Sequence, residues 1–248
     1  MRGAVSGAIR IAMWSGPRNI STAMMRAWEN RGDTAVWDEP LYAFYLHRTR
    51  LDHPGAAEVI AAGDTDWRRV VAAVTGSVPG DKPIYFQKHM THHMLDEVDR
   101  DWLAQLHNCF LIRDPREVIA SYARTRPAVN VSDVGVLQLA EIFEHVRATA
   151  GATPLVLDSR DVLEDPRAML AALCEALAVP FSERMLSWPA GPRSSDGVWA
   201  RYWYEAVQAS SGFSAYVSRA HTLPRALEPL AEDCAPHYRS LYAQRLRP

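Results

Sequence analysis

The stretch Ile9–Arg26, IRIAMWSGPRNISTAMMR, decides the fold of the first part of the chain. Its opening run, Ile9–Trp14, is short and apolar, which is typical of a buried strand. The Gly-Pro turn that follows breaks this pattern, and Ala23–Trp28 continue with helical spacing. The stretch therefore predicts a strand, a tight turn and a helix in direct succession.

The predicted turn and helix start have the chemistry of an anion-binding site. The first N–H groups of a helix have no partner within the helix, and the helix dipole adds partial positive charge there. Ser21 and Thr22 can donate hydroxyl hydrogen bonds to an anion, and Arg18 can contact it with a planar guanidinium. An ordinary corner, with Asn19 or Ser21 as a helix cap, is the alternative. The strict phosphate-loop pattern GxxxxGK[ST] is not met, because Ile20 stands at the second glycine and the loop has no lysine.

Length and composition limit the class of protein. The chain has 248 residues, is 48% hydrophobic and has a formal net charge of −2, which fits one large globular domain. The chain has no excess of basic residues that would indicate a nucleic-acid partner. Its apolar runs are all shorter than the ~18 residues of a membrane span. Three widely spaced cysteines without a CxxC pair indicate reduced, structural thiols. We expect a cytoplasmic protein that is a monomer or homodimer.

Five short apolar runs alternate with helical patterns along the chain. They are Ile9–Trp14, Thr34–Asp38, Pro83–Lys88, Asn108–Ile112 and Pro154–Asp158. The alternation predicts an α/β fold: a single P-loop-type domain with a mostly parallel central sheet of about five strands and helices on both faces. In such folds ligands bind beyond the carboxyl ends of the strands. We therefore expect the turns after the first four strands to lie along one edge of the sheet.

Three further segments carry expectations about the domain spanning 1–248. Residues 47–80 have Pro, Gly and Asp breaks around helical pieces, and they predict a lid or substrate lobe. Leu223–Leu246 predicts a terminal pair of helices. The aromatic-rich stretches Leu41–Arg50 and Arg201–Phe213 predict apolar walls for a small-molecule acceptor, or alternatively the packing of helices on the sheet.

A second candidate anchor for an anion follows the fourth strand. Arg113 comes directly after a buried run, and its guanidinium must face a ligand or an acidic partner, because an unpaired buried charge is costly. Ser121 lies about two turns along the helix that follows. A salt bridge from Arg113 to Asp114 or Asp165, with Ser121 as an ordinary helix residue, is the alternative.

Together the two anchors resemble motifs of the sulfotransferase family. PRNIST after the first strand is similar to that family's PKSGTTW-like motif, and LIRDPREVIASY after the fourth strand is similar to its RDPxxxxxS motif. VLDSRDVLEDPRAMLAALCEALAVPF and, more loosely, RSSDGVW resemble two further stretches of the family. The resemblance extends from the first strand to Trp199, and it points to a bacterial branch whose loop reads WSGPRNIST.

This resemblance implies transfer of a sulfuryl group from 3′-phosphoadenosine 5′-phosphosulfate (PAPS) to a hydroxyl or amine of a small-molecule acceptor. It implies PAP as the product, no metal ion, and neither a nucleic acid nor a membrane as a partner. The first motif then holds the 5′-phosphate side of the donor, and the second motif holds its 3′-phosphate. The residues that the resemblance assigns to the donor are Ser15, Gly16, Pro17, Arg18, Asn19, Ile20, Ser21, Thr22, Arg113, Ser121, Arg193, Gly197 and Trp199. Two of them depart from the family, since Arg18 replaces a lysine and Ile20 replaces a glycine.

Sulfuryl transfer requires a positioned donor, charge neutralisation and a base for the proton of the acceptor. Arg18 suits the second task. For the base, Glu39 follows the second strand and resembles the glutamate proposed for carbohydrate-type members. His89 resembles the Lys-x-His position of the cytosolic small-molecule members, although its spacing is one residue short. We rank Glu39 first, because partial desolvation beside Trp37 and Tyr42 can raise its pKa.

These residues can also have purely structural roles, and other classes of protein are alternatives. Glu39 can be a first-turn acid of the next helix, and the histidines at 89–93 can be packing residues or, as HxxHH, ligands of a metal. A P-loop kinase or NTPase would need a magnesium-binding aspartate, such as Asp38 or Asp158. A pyridoxal-phosphate enzyme would need Lys82 or Lys88 for its Schiff base. A non-catalytic nucleotide-binding module is the last alternative.

Overall fold

The computed structural model describes residues 7–124, 129–150, 153–217 and 223–248. The strands in these ranges are β1 (Ile9–Ser15), β2 (Thr34–Asp38), β3 (Ile84–Met90), β4 (His107–Ile112) and β5 (Leu155–Asp158). They form one sheet in the order β2-β3-β1-β4-β5, and every pairing is parallel. The predicted α/β domain with a five-stranded parallel sheet is therefore confirmed.

Helices connect the strands and follow the last of them. They are α1 (Ser21–Asn30), α2 (Tyr42–Thr49), α3 (Ala56–Ala62), α4 (Trp67–Thr75), α5 (Pro115–Tyr122), α6 (Val131–Val134), α7 (Val136–Ala150), α8 (Ser159–Glu164), α9 (Pro166–Ala176), α10 (Ala200–Trp203), α11 (Glu205–Gln208) and α12 (Glu228–Ala243). Short 3₁₀ turns lie at Pro79–Asp81, Thr91–His93, Asp101–Gln105, Glu183–Leu186 and Arg225–Leu227. None of the helices within the described ranges combines the length and the apolar character needed to cross a bilayer.

Alternate residues of β1 point to opposite faces of the sheet. Ile11 and Met13 pack in a core with α1 and α9, whereas Ala12 and Trp14 pack in a second core with α4 and α7. Helices thus cover both faces, as the apolar runs predict. Cys109, Cys174 and Cys234 are buried and unbridged.

The side chains at the end of β3 also alternate between the two faces of the sheet. Phe86 belongs to the first core, whereas Gln87 on the second face donates to the Val74 carbonyl at 2.7 Å. Lys88 therefore faces the side of α1, and His89 faces the side of Trp14. Two consecutive polar residues of one strand end in different surroundings.

The C-terminal segment corrects one expectation. Among the described residues, a single helix, α12, follows the turn at Arg225–Leu227, where a pair of helices was predicted. Pro236 lies inside α12 without ending it, because Ala231, Cys234 and Leu241 bury one face of the helix on both sides of the proline.

The segment predicted as a lid, residues 47–80, is partly fixed to the sheet. Val70 and Val74 of α4 are buried in the second core, and the Arg10 side chain donates to the Gly76 carbonyl at 2.6 Å. His53, in the loop before α3, reaches the cavity described below. The lid role remains a prediction.

Candidate active site

A cavity of about 190 Å³ lies at the carboxyl ends of β1, β2 and β3. The loop after β1 and the start of α1 supply one wall, made of Pro17, Arg18, Asn19, Ser21 and Thr22. Glu39 and Lys88, at the ends of β2 and β3, form the facing wall. All three strands are parallel, so their carboxyl ends meet at one edge, and the predicted edge carries the cavity.

The loop after β1 is held by its neighbours on two sides. The Asn19 amide donates to the Leu111 carbonyl at 2.9 Å and accepts from the Ile20 N–H at 2.8 Å. A side chain at Gly16 would come within 2.6 Å of the Val134 carbonyl oxygen, so glycine permits the close approach of the loop to α6. These contacts hold the loop against β4 and α6.

The start of α1 has no side-chain cap. Ile20 stands at the N-cap position, and neither Asn19 nor Ser21 caps the helix through its side chain. The capping alternative is therefore not what the structure has. Ser21 and Thr22 face the cavity instead, where the uncapped first turn and the helix dipole favour an anion.

Arg18 joins the two anchors that the sequence identified. Its Nε donates to Ser121 Oγ at 2.9 Å, and its carbonyl oxygen accepts from Arg113 Nη1 at 2.7 Å. Its backbone is left-handed, with φ of 57°, a conformation that a non-glycine residue adopts at a cost. The contacts bring the end of β4 and the helix α5 to the loop after β1.

Arg113 is partly exposed and has a different acidic partner from those anticipated. It makes a two-pronged contact with Glu117, at 2.9 Å from Nε and 2.8 Å from Nη2. Asp114 and Asp165 instead cap α5 and α9 by accepting backbone N–H groups. Glu117 also accepts the Tyr216 hydroxyl at 2.7 Å, which brings the chain after α11 to this edge of the site.

Four charged and polar side chains with little exposure form one hydrogen-bonded group, and three of them line the cavity. Lys88 Nζ donates to Asp38 Oδ1 at 2.9 Å, to the Tyr204 hydroxyl oxygen at 2.8 Å and to Glu39 Oε1. The Tyr204 hydroxyl donates to Asp38 Oδ2 at 2.7 Å, and Gly197 N–H donates to the same oxygen at 3.3 Å. Glu39 offers its second oxygen, Oε2, toward His93.

The surroundings of Glu39 raise the pKa of its carboxyl group. Its side chain is 10% exposed, and its backbone is left-handed with φ of 45°. Burial raises the pKa of Glu39, the Asp38 carboxylate raises it further, and Lys88 opposes both. Burial alone would lower the pKa of Lys88, but the carboxylates of Asp38 and Glu39 outweigh it and hold that pKa well above its ordinary value.

His89 lies away from the cavity. Its ring stacks on Trp14 with centroids 4.4 Å apart, and its Nε2 is 3.2 Å from the Gln87 side-chain oxygen. Burial and the neighbouring Lys88 cation lower the pKa of His89 to about 3. Of the two predicted bases, the cavity contains Glu39.

Two histidines that the sequence analysis considered only as packing residues or metal ligands line the cavity. His92 and His93 form the turn after β3, and the His93 ring stacks on Tyr42 with centroids 4.6 Å apart. Within the described ranges, no group of three or more His, Cys, Asp or Glu side chains has the arrangement of a metal site.

Arg113, Ser121 and the remaining residues assigned to the donor lie outside the cavity lining. Arg193 pairs with Glu29 at 2.9 Å, and Trp199 Nε1 donates to the Tyr204 hydroxyl oxygen at 3.2 Å. Gly197 donates its backbone N–H to the Asp38 carboxylate, which is bound to Lys88 of the wall. Ser15 is fully buried with its hydroxyl toward Met90, and Ile20 packs against the first core.

The aromatic residues proposed for the acceptor divide into two groups. Tyr42, Trp203 and Tyr204 line the cavity. Tyr202 lies against Gly55, and Phe213 packs edge-on against Trp188 with centroids 5.2 Å apart. The walls therefore combine aromatic rings with Arg18 and Glu39.

The sequence analysis missed Lys88 and Tyr204 as partners of Glu39. A signal existed for Lys88, since an Asp-Glu pair and a lysine each end a strand, and the register pairs Asp38 with Lys88. For Tyr204 no sequence signal existed, because it lies 166 residues from Asp38 and belongs to no motif.

Comparison with known proteins identifies the family of the chain. The family described as "Sulfotransferase domain" matches residues 9–244. A relative from Arabidopsis thaliana, named "Branched-chain-amino-acid aminotransferase-like protein 2", is 34% identical over 231 residues, which are 93% of this chain and 41% of that protein. The chain thus spans about two fifths of the length of this relative.

Two solved structures share the fold at low sequence identity. The sulfotransferase domain of the olefin synthase of Synechococcus PCC 7002 has a TM-score of 0.53 at 16% identity, with 98% of both chains covered. A sulfotransferase from Alicyclobacillus acidocaldarius has a TM-score of 0.55 at 12% identity, with 97% of this chain and 98% of that chain covered. With a family match along nearly its whole length and this fold, the chain belongs to the sulfotransferase domain family.

Proposed function

We propose that the protein transfers a sulfuryl group from PAPS to a hydroxyl or amine of a small-molecule acceptor. The observation that supports this most is the contact of Arg18 with Ser121 and Arg113 beside an uncapped helix start. This contact joins the two sequence anchors at one edge of a cavity. In the transfer, the bond from sulfur to the phosphate oxygen of the donor breaks, a bond from sulfur to the acceptor forms, and PAP leaves.

The residues present fit the phosphate groups of such a donor. The uncapped N-terminus of α1, with the hydroxyls of Ser21 and Thr22, suits the 5′-phosphate side. Arg113 and Ser121 suit the 3′-phosphate, and the Glu117 carboxylate that already holds Arg113 keeps its guanidinium oriented. PAPS supplies the activated sulfuryl group, and the protein supplies position and charge.

Two side chains carry the chemical steps in this proposal. Arg18 lies in the cavity wall and neutralises the charge that develops on the leaving phosphate oxygen, which a permanently charged guanidinium does without a proton transfer. Glu39 accepts the acceptor's proton through Oε2, because Oε1 is already bound by Lys88. The raised pKa of Glu39 makes it a stronger base than a solvent-exposed glutamate.

The name of the Arabidopsis relative invites comparison with pyridoxal-phosphate enzymes, and Lys88 speaks against that role. A Schiff-base lysine must lose its proton to attack an aldehyde. Lys88 is bound to two carboxylates, and its pKa is held well above the ordinary value. Lys82 is on the surface, where its ammonium donates to the Gly32 carbonyl at 2.6 Å.

The proposal is tested by calorimetry with PAP, ATP with magnesium, and pyridoxal phosphate, each titrated into the wild-type protein. We expect PAP to bind without magnesium and more tightly than the other two. Transfer of radiolabelled sulfate from PAPS to an acceptor panel then tests the activity. Preferential binding of ATP with magnesium, or of pyridoxal phosphate, would refute the proposal.

A further inference from the structure

His93 carries a buried polar atom that is aimed at the proposed base. Its side chain is 2% exposed, and its Nδ1 lies 4.0 Å from Glu39 Oε2, beyond hydrogen-bond distance. Among the described residues, Nδ1 has no hydrogen-bond partner. A buried polar atom without a partner is uncommon in folded proteins and calls for a ligand or an ordered molecule at that point.

The His93 ring is held by its neighbours, so the direction in which Nδ1 points is defined. It stacks on Tyr42 at an interplanar angle of 6°, and the rings of Tyr45 and His92 lie at 4.7 and 4.4 Å. Both His93 and Glu39 line the cavity. The gap between their two atoms matches one bridging atom, since a single oxygen about 2.8 Å from each can span 4.0 Å.

The protonation state of His93 follows from its neighbours. Burial lowers the pKa of His93 well below its ordinary value, and His92, Lys88, His53 and His89 add to this, so the ring is neutral near pH 7. A neutral imidazole carries one N–H, and the nearest group decides which nitrogen holds it. A carboxylate oxygen facing Nδ1 favours the hydrogen on that nitrogen, because two lone pairs would otherwise face each other.

We infer that Glu39 Oε2 and the Nδ1–H of His93 together hold the nucleophilic atom of the acceptor, and that this atom is a hydroxyl oxygen rather than an amine nitrogen. The inference rests on the proposed function and makes its acceptor class specific. A hydroxyl donates its proton to Glu39, accepts from Nδ1–H with one lone pair and attacks sulfur with the other. A neutral amine has one lone pair, which the attack uses, so Nδ1–H would be left buried without a partner.

The first test reads the tautomer directly and needs no acceptor. The full chain, labelled with ¹⁵N at histidine and saturated with PAP, is measured by long-range ¹H–¹⁵N correlation. The His93 signals are assigned by their loss in His93→Phe, a variant that keeps a ring against Tyr42. We expect a neutral ring with hydrogen on Nδ1. A neutral ring with hydrogen on Nε2, or a doubly protonated ring, would overturn the inference.

The second test compares matched acceptors, 2-phenylethanol with 2-phenylethylamine and 3-phenylpropanol with 3-phenylpropylamine, and kcat/KM is calculated for the neutral form of each amine. We expect kcat/KM to favour each alcohol over its amine at least tenfold in the wild type. The preference should vanish in His93→Phe and return in His93→Asn, whose amide N–H can replace Nδ1–H. A preference for the amines, or one that persists in His93→Phe, would overturn the inference.

The two tests separate failure of this inference from failure of the proposed function. PAP affinity, measured by calorimetry in the wild type and His93→Phe, reports the donor site alone. Absence of PAP binding would refute the proposed function. If PAP binds and no probe accepts sulfate, the tautomer measured in the PAP complex decides whether His93 presents the N–H that a hydroxyl requires.

Discussion

Replacing Lys88 with methionine is expected to destabilise the protein by about 3–5 kcal/mol near pH 8, since it breaks a buried ion pair from one side. Lys88 and Asp38 are each 2% exposed, and Glu39 is 10% exposed. The ammonium is the cation that both carboxylates share. Methionine fills a similar volume, so the loss reports charge rather than a cavity.

The size of the loss should depend on pH. Without Lys88, the two neighbouring carboxylates raise each other's pKa in the folded state above the unfolded values. The folded variant then binds more protons than its unfolded chain, so its stability falls as the pH rises through those raised values. We therefore expect a smaller deficit at pH 5 than at pH 8. Lys88→Met with Asp38→Asn should recover part of the loss, because one carboxylate is removed with the cation.

The assay is urea unfolding at pH 5 and pH 8, followed by tryptophan fluorescence. Lys82→Met is the matched control, since Lys82 is the second of the two lysines and lies on the surface with one hydrogen bond to a carbonyl. It should change the free energy of unfolding by less than about 0.5 kcal/mol. If Lys88→Met and Lys82→Met behave alike, or if the deficit is the same at both pH values, the reasoning about the buried charges is refuted.

Three further predictions concern the donor site, the base and a second buried acid. Arg113→Ala should weaken PAP binding by about 1.5–3 kcal/mol through lost charge-assisted hydrogen bonds, and an unchanged affinity by calorimetry in a folded variant would remove Arg113 from the site. Glu39→Gln should lower transfer roughly 10²–10⁴-fold with PAP binding kept, whereas His89→Asn should have the smaller effect; the reverse order in steady-state assays would make His89 the base. Burial raises the pKa of Asp158 from 3.8 to about 6, and the hydrogen bond from Tyr238 opposes this rise. The folded protein therefore keeps a proton that the unfolded chain has already lost, and this contribution to stability is lost as the pH rises through about 6. Relative to Asp158→Asn, the wild-type free energy of unfolding should fall by about 2–3 kcal/mol from pH 4 to pH 7, and a constant difference in chemical denaturation would contradict this.

The fold was predictable because its signals are local. The five apolar runs became the five strands, and the parallel arrangement followed from the helices between them. The order of the strands was not predictable in the same way, since it depends on how distant helices pack on the two faces. The terminal helix shows the limit of local rules, because burial of its apolar face overrides Pro236.

The candidate site was predictable where motifs carried it. PRNIST and the Arg113–Ser121 spacing were recognised separately, and the structure joins them through Arg18. The alternation of β3 could have separated Lys88 from His89, since neighbouring residues of a strand face opposite sides. Tyr204 and the direction of the His93 ring required the tertiary structure, because long-range contacts set both.

The positions of the cations explain how a loop without lysine can serve the proposed transfer. The loop cation is Arg18, and a guanidinium is a poor proton donor. The nearby lysine, Lys88, also lines the cavity, and the carboxylates of Asp38 and Glu39 hold it as an ammonium. Neither cation is suited to move a proton, so on the proposed function the acceptor's proton must go to Glu39. The site then separates its tasks, with fixed positive charge on the donor side and the base on the acceptor side, beside His93.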